Sequence, residues 1–496
     1  MNNIFFKKLI ISNFKCFIDE HLEFNIPDGE NEGSGLNIFI GENGNGKTAV
    51  LEAINYLTQS RYATENKLKI SDFNNFEKDI LIKGETKEFK CKMPYPGNYF
   101  ECRGVEFGAK NRERKSPGRL LSSPFQIKNY FININNTYKN SQDEDSGNEI
   151  QDRFRIFNNA DIINEEINIF YFDKNRTRQI ITGNYTTTFE RICDDLNWKF
   201  AKNLNAADDE KKKEITANIC GDYFKNVIQI AQKGTGGKIA TELKDFFNQD
   251  EYEDLNIELL DLLHPFSSAF FACRKNDTLK QIRARDLGSG IEMILTLLLL
   301  KSIANESKGS VIYLIDEPEL HLHPKAQEQL LDLLIKESKT KQIFVSTHSP
   351  FIFKNSLSKN VGVLLFNRDQ NNNIAISNAK DKDWGIFPWS PSWGEVNYYA
   401  YNLPTVEFHN ELYGYLQERT GINHIDPFDD YLKEEKINTI KKYIQNGQKK
   451  DITLCTYIRN QIHHPENKDN EQYTDDELKA SIEILINLAK KLRSDE

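Results

Sequence analysis

The run Gly41-Glu42-Asn43-Gly44-Asn45-Gly46-Lys47-Thr48 has the spacing G-x-x-x-x-G-K-[ST], a pattern suited to cradling phosphate. Its glycines let backbone N–H groups turn inward around phosphate oxygens at a helix N-terminus. Gly41, Asn43, Gly44 and Gly46 are the candidate cradle residues. Lys47 would reach the β and γ phosphates as a point charge, and Thr48 would offer its hydroxyl to Mg2+.

A second constellation lies far along the chain. Val311 to Ile315 reads as an apolar strand that runs into Asp316, Glu317 and Pro318, so two carboxylates fall at the carboxyl edge of a buried strand. Ligands bind at that edge in open α/β sheets. Asp316 is placed to hold the metal through water, and Glu317 to orient or deprotonate an attacking water; positioning of this kind supplies most of the catalysis in phosphoryl transfer. An acidic cap after a strand would account for one carboxylate, but poorly for the ordered pair. A third element, Gln342 to Ser346 followed by Thr347, His348, Ser349 and Pro350, puts His348 one helix and one strand later, where it would face the γ phosphate. A surface or cap histidine is the bland alternative.

These residues need a scaffold. Residues 4–12 and 18–24 alternate around a short turn as two strands, 36–40 reads as a buried third, and a helix from Lys47 carries Val50, Leu51, Ile54 and Leu57 on one face. The stretch 60–170 is poorly periodic, with polar runs such as Asn140 to Asp145, and yields no firm element apart from a strand at Ile167 to Phe172. From 185 to 263 the pattern is helical, including Ile215 to Ala231, and 242–261 reads as an acidic, solvated helical face with eight Asp or Glu against one Lys. Strands return at 267–272, 310–315 and 342–346, with helices at 289–305 and 324–338 between them. Strand alternating with helix predicts an α/β head with a mixed, largely parallel sheet covered by helices. Beyond 395 four amphipathic helices fit, at 396–419, 428–446, 450–464 and 475–493. The expected organisation is a head over 1–395 with an insertion at about 60–265, then an all-α unit over 396–496.

Composition narrows the class. At 496 residues, 39% hydrophobic and 28% charged, the chain can bury a sizeable core. A net charge of −10 excludes a global positive field for nucleic acid. Locally, seven basic residues between Arg103 and Lys128 face three glutamates and could hold a phosphate backbone, or form a solvated loop balancing the acidic stretch. Lys174, Arg176 and Arg178 pose the same choice. No apolar run approaches the roughly 18 to 20 residues that span a bilayer, and no secretory signal is readable, so a cytoplasmic location is expected. The seven cysteines are scattered, without a C-x-x-C pair, and read as reduced thiols.

The segments Ile11 to Phe17, 41–48, Leu287-Gly288-Ser289-Gly290, Asp316 to Pro324 and Ser346 to Pro350 resemble ABC-type ATPase heads. Within these, the chain resembles the branch shared by structural-maintenance-of-chromosomes (SMC) proteins, overcoming-lysogenization-defect (OLD) proteins and ATPases of bacterial anti-phage systems. The resemblance implies ATP with Mg2+, catalysis by Glu317, His348 and Lys47, and metal binding through Thr48 and Asp316. It also implies that Ser289 and Gly290 of one chain cap the γ phosphate held by another, so the active form is a homodimer or a higher even oligomer. The family's L-S-G-G-Q is altered here, with Gly288 and Ser289 in exchanged order, and its metal-sensing glutamine is unmatched among Gln59, Gln126 and Gln151. The spacing between loop and signature is too short and aperiodic for long coiled-coil arms.

In the C-terminal unit, Arg459 and His464 fit the R-x(4 to 6)-H pattern of HEPN ribonuclease domains, which would supply phosphate stabilisation and proton transfer. A helix-pinning or docking role is the alternative. The whole also resembles the ATPase subunit (PtuA) of two-gene anti-phage systems such as Septu, which work with a separate nuclease. The readings carried forward are a regulatory ATPase that controls a partner nuclease, an ATP-gated ribonuclease, and a DNA-repair or chromosome ATPase.

Overall fold

The computed structural model describes residues 4–58, 68–92, 99–111, 125–133, 153–155, 167–172, 252–258, 270–275, 281–283, 289–305, 309–320, 322–369, 373–381, 385–435, 440–445 and 447–494. The chain forms two compact units. The first comprises Met1–Phe39, Asn43–Ile352 and Lys359–Leu364, and the second Ile40–Glu42, Phe353–Ser358 and Leu365–Glu496.

The alternating pattern at the start of the chain forms β1 (Phe6–Phe14) and β2 (Phe17–Glu23), an antiparallel hairpin closed at the Phe14–Phe17 pair. Next come β3 (Leu36–Gly41), helix α1 (Lys47–Thr58), β4 (Ile80–Lys92), β5 (Tyr99–Asn111), β6 (Phe125–Asn133) and β7 (Arg153–Arg155). The order β2-β1-β4-β5-β6-β7 makes one sheet, antiparallel at every junction. The sequence predicts no firm element between 60 and 170 except the strand at Ile167 to Phe172. Yet β4 and β5 are 13 residues each. Their glycines and charged residues hide the alternation, and the pairing of β4 to β1, and of β5 to β4 and β6, supplies what local pattern lacks.

The chain continues through β8 (Ile167–Phe172), then β9 (Tyr252–Glu258), β10 (Phe270–Lys275) and β11 (Gln281–Arg283), which form a separate antiparallel sheet of order β11-β10-β9. The second large sheet is completed along α2 (Ser289–Asn305), β12 (Ser310–Asp316), α3 (Pro324–Glu337), β13 (Gln342–Thr347), α4 (Pro350–Leu357), β14 (Gly362–Arg368) and β15 (Ile374–Asn378). Its order is β15-β14-β3-β13-β12-β8, with β12 parallel to both β13 and β8. The fold is therefore α/β with a mixed, largely parallel sheet. Every residue of β3, β12 and β13 is buried, as befits strands covered on both faces. Helix α1 packs against β1, β4 and β5 of one sheet and β8, β12 and β13 of the other. That explains why Val50, Leu51, Ala53, Ile54, Asn55, Tyr56 and Leu57 are all buried, beyond the single face the sequence suggested.

The acidic stretch at 242–261 is corrected in part: Tyr252–Glu258 is strand β9, paired antiparallel with β10, not a helical face. Leu255 and Ile257 alternate with Asp254, Asn256 and Glu258, a period of two that overall acidity obscured. The helix at Ile215 to Ala231, the polar run at Asn140 to Asp145 and the basic residues at 112–119, 174, 176 and 178 lie outside the described residues.

The C-terminal segment contains α5 (Trp393–Tyr401), α6 (Val406–Thr420), α7 (Ile425–Glu434), a hairpin of β16 (Ile440–Gln445) and β17 (Gln448–Thr453), α8 (Leu454–His463) and α9 (Asp475–Ser494). Two expectations are corrected here. The predicted helix at 396–419 is broken by Asn402, which takes a left-handed φ of 49° and ends α5, ahead of Pro404. The predicted helices at 428–446 and 450–464 hold over 428–434 and 454–463, but their facing ends are the hairpin, whose Gln445–Gln448 closure holds Gly447 at a φ of 78°. The Asn446-Gly447 dipeptide was the available signal. Phe408, Leu412, Leu416, Phe428, Leu432, Ile458, Ile482 and Leu485 form the core of this region, each fully buried. Among the described residues no helix is long and apolar enough to cross a membrane.

Candidate nucleotide site

Strand β3 delivers the chain into the Gly41–Thr48 loop and α1 carries it away. Gly41 takes a φ of 147°, and a Cβ there would lie 2.1 Å from the carbonyl oxygen of Phe366. Gly46 has a φ of 90°, and a Cβ would meet the Phe17 ring at 2.6 Å and Cys16 Sγ at 2.9 Å. Both positions accordingly require glycine. The β1–β2 turn therefore presses directly on the loop, a neighbour that the motif alone did not reveal. In that turn Asn13 and Lys15 both have positive φ. Lys15 forms an ion pair with Glu52 of α1 and lies 3.9 Å from Asp72. Burial outweighs the pull of Asp72 and lowers the Lys15 pKa below its ordinary value.

Lys47 is buried at the first position of α1. One residue on, Thr48 Oγ1 lies 3.0 Å and 3.3 Å from the two oxygens of Asp316. Two motifs separated by 268 residues thus meet. Asp316 is fully buried at the end of β12, and its Oδ1 also accepts a hydrogen bond from Ser346 Oγ at the end of β13. A hydroxyl and a carboxylate converging beside a glycine loop form a hard-oxygen donor set that fits Mg2+, and the positive-φ backbone at Gly44, with open space where a Cβ would stand, fits phosphate.

Glu317 follows with a φ of 48°, rare for a non-glycine residue, and its N–H donates to the Ser346 carbonyl at 2.9 Å. Such strain is characteristic of functional positions. Its Oε1 lies 3.8 Å from His348 Nε2, and both side chains are partly exposed, at 16% and 27%. That is an ion-pair distance when the imidazole is protonated, longer than a hydrogen bond. The two residues therefore face the same space.

Sequence reasoning passed over Glu319. Its Oε1 accepts the His348 backbone N–H at 2.6 Å, while Oε2 is buried without a hydrogen-bond partner. Burial pushes its carboxyl above the usual range despite that bond. The residue stands inside the Asp316 to Pro324 run, but only the fold brings it to His348.

Ser289 and Gly290 occupy the first turn of α2, as the helix begins at Ser289. Gly288, Gln59 and Gln151 lie outside the described residues. In the C-terminal region Arg459 and His464 are not paired with each other. Arg459 donates to Asn460 Oδ1 at 3.2 Å, and His464 Nδ1 lies 3.2 Å from Glu466 Oε1. His464 lines a cavity of about 660 Å3 with Gln461, Asn467, Lys468, Gln472 and Tyr473. Among the described residues no cluster of three or more His, Cys, Asp or Glu could hold a metal ion.

Residues 5–353 match the AAA ATPase domain family. An OLD nuclease of Thermus scotoductus is 23% identical over 397 residues, covering 76% of this chain and 65% of that protein. A retron Ec83 probable ATPase of Escherichia coli is 43% identical over 70 residues, covering 14% of this chain and 13% of that protein. The chain thus spans under two thirds of the length of these relatives. Among solved structures, an SMC head bound to the C-terminal winged-helix domain of ScpA aligns with a TM-score of 0.41 and 14% identity, over 77% of this chain and 99% of that one.

Proposed function

Because the chain belongs to the AAA ATPase domain family, we propose that it is an ATP-binding and ATP-hydrolysing regulatory subunit. In this reading its head, over about 1–395, closes in pairs on ATP and controls a separate nuclease during phage infection. The observation that carries the ATPase part is the convergence of Thr48 on Asp316 at 3.0 Å, with Glu317 and His348 beside them.

The chemistry follows from the residues. The Gly41–Thr48 backbone binds the phosphates, and Lys47 neutralises the terminal ones. Thr48 and Asp316 would hold Mg2+, which, when bound, offsets negative charge on the phosphates. Glu317 orients a water against the γ phosphorus and takes its proton, and His348 bears on the same phosphate from the opposite strand. Ser289 and Gly290 of a second chain, at the start of α2, complete the site. A lone chain would turn over poorly, and the terminal phosphate acts as a latch between two copies.

The similarity to an OLD nuclease and a retron ATPase supports the defence and nuclease-linked part. A second reading, RNA cleavage through Arg459 and His464, is favoured by one observation, the placement of His464 on a polar cavity with Lys468.

The test combines assembly with turnover. With Mg-ATP, Glu317→Gln should accumulate closed pairs by light scattering and lose about 10²- to 10⁴-fold in turnover, the range for removing a general base. Full turnover by Glu317→Gln, or by a strictly monomeric wild type, would reject the reading. Co-purification from the native operon separates the two outputs. A nuclease that travels with the chain, and RNA cleavage indifferent to Arg459→Ala, favour the first.

A further inference from the structure

The ends of β12 and β13 are joined by three successive side-chain or backbone links. Ser346 Oγ donates to Asp316, and the Glu317 N–H donates to the Ser346 carbonyl at 2.9 Å. The His348 N–H donates to Glu319 Oε1 at 2.6 Å. The first two links belong to the sheet edge itself. The third lies beyond it, since β12 ends at Asp316 and β13 at Thr347.

Glu319 is expensive to keep there. Its Oε2 is buried with no hydrogen-bond partner, and Glu317 two residues away adds repulsion to the burial. An orphaned buried oxygen of this kind is destabilising, because it gives up its bonds to water. What the carboxylate makes in that position is the short bond from the His348 N–H. Next to it, Thr347 Oγ1 accepts the Ser349 N–H at 2.9 Å. Glu319 thus holds the backbone at the candidate histidine itself, and Thr347 holds the residue after it.

We propose that Glu319 is the positioning residue of this site, its carboxylate fixing the His348 backbone so that the imidazole stays opposite Glu317. The proposal rests on the reading of Glu317 and His348 as a hydrolytic pair. Glu319 acts through His348 and does not touch the phosphates. Losing it would leave ATP bound and the histidine misplaced, and a displacement of about 1 Å in a reacting group lowers turnover roughly 10²-fold.

The experiment measures phosphate release and binding of a fluorescent ATP analogue on the full chain. The variants are His348→Ala, Glu319→Ala, Glu319→Gln and the double His348→Ala/Glu319→Ala, with Glu319→Asp as a second truncation should Glu319→Ala fail to fold. Glu319→Ala is expected to lose roughly 10²-fold in kcat, with nucleotide affinity and melting temperature near wild type. Glu319→Gln retains an oxygen that can accept the His348 N–H and should keep most of the turnover. The decisive expectation is that the double variant is no slower than His348→Ala alone, as residues acting as one unit require. Additive losses, or equal losses in Glu319→Gln and Glu319→Ala, would give Glu319 a general structural role and overturn the proposal. If His348→Ala itself turns over at the wild-type rate, the hydrolytic pair fails, and the role of Glu319 fails with it.

Discussion

Two buried carboxylates, Glu319 in the nucleotide site and Asp429 in the C-terminal core, meet opposite fates. Burial acts to raise both. At Asp429 it is outweighed by Lys433, whose Nζ lies 2.8 Å away, and by Thr453 and Thr456, and the pKa falls below the ordinary value. At Glu319 no cation answers the burial, and the pKa rises. Backbone strain divides in the same way. Of the four non-glycine residues with positive φ among those described, Asn13 and Lys15 sit in the turn against the phosphate loop and Glu317 ends β12, whereas Asn402 only closes a helix. Each such residue costs about 1–2 kcal/mol. Three of these four strained residues gather at the nucleotide site, whereas the C-terminal region carries its own unanswered burial at Glu395 and His409 in relaxed backbone.

The contrast is broken most directly in the C-terminal core. Phe428 is fully buried and packs edge-on against Tyr413 at 4.9 Å, so Phe428→Ala should cost about 3–5 kcal/mol of unfolding free energy, read from urea titration. A loss under about 1 kcal/mol would mean that this region is not held by its core. The matching change in the nucleotide site should behave differently. Lys47→Ala should weaken ATP binding by about 1.5–3 kcal/mol, roughly 10- to 100-fold by calorimetry, while leaving melting in the absence of nucleotide nearly unchanged or raised. Equal damage to stability in both variants would erase the distinction.

Legibility in the sequence divides along other lines. The Gly41–Thr48 loop, the Asp316-Glu317 pair and His348 were readable because their chemistry demands fixed spacings. Helix α3 was readable because Leu330, Leu331, Leu334 and Ile335 repeat on one face behind Pro324. Strands β4 and β5 were not, because β4 is anchored on β1 some 70 residues earlier, β5 in turn on β4, and no local periodicity announces either. Glu319 was invisible for a related reason: its worth lies in a contact with residue 348, across 29 positions. The β16–β17 hairpin was legible in its Asn446-Gly447 turn, but charged residues around Tyr443 and Ile444 resembled an amphipathic helix.

Acid separates the regions further. His409 on α6 is fully buried, with Nε2 2.9 Å from Ser481 Oγ. Burial, reinforced by His463, holds its pKa at about 3. The folded chain therefore keeps His409 neutral where the unfolded chain, near pKa 6.5, binds a proton. This stability is fully present above about pH 6.5 and is lost as the pH falls toward about 3, by about 1.4 kcal/mol per pH step, or roughly 2 kcal/mol by pH 5. Urea titrations of wild type and His409→Gln should diverge in pH slope across that window. Parallel slopes would place the acid sensitivity elsewhere.

The smallest effect isolates a single cap. Thr405 precedes α6 with an extended φ of −119°, and its side chain accepts the Phe408 N–H at 3.2 Å. That N–H is one of the four at a helix start that the helix cannot satisfy itself. Thr405→Ala removes the acceptor and little else, since Phe408 and Leu412 remain packed, and should cost about 1 kcal/mol. Thr405→Ser keeps a hydroxyl at the same position and should restore most of it. If both substitutions are equally harmful, the missing methyl group rather than the cap explains the loss, and α6 would owe its start to packing alone.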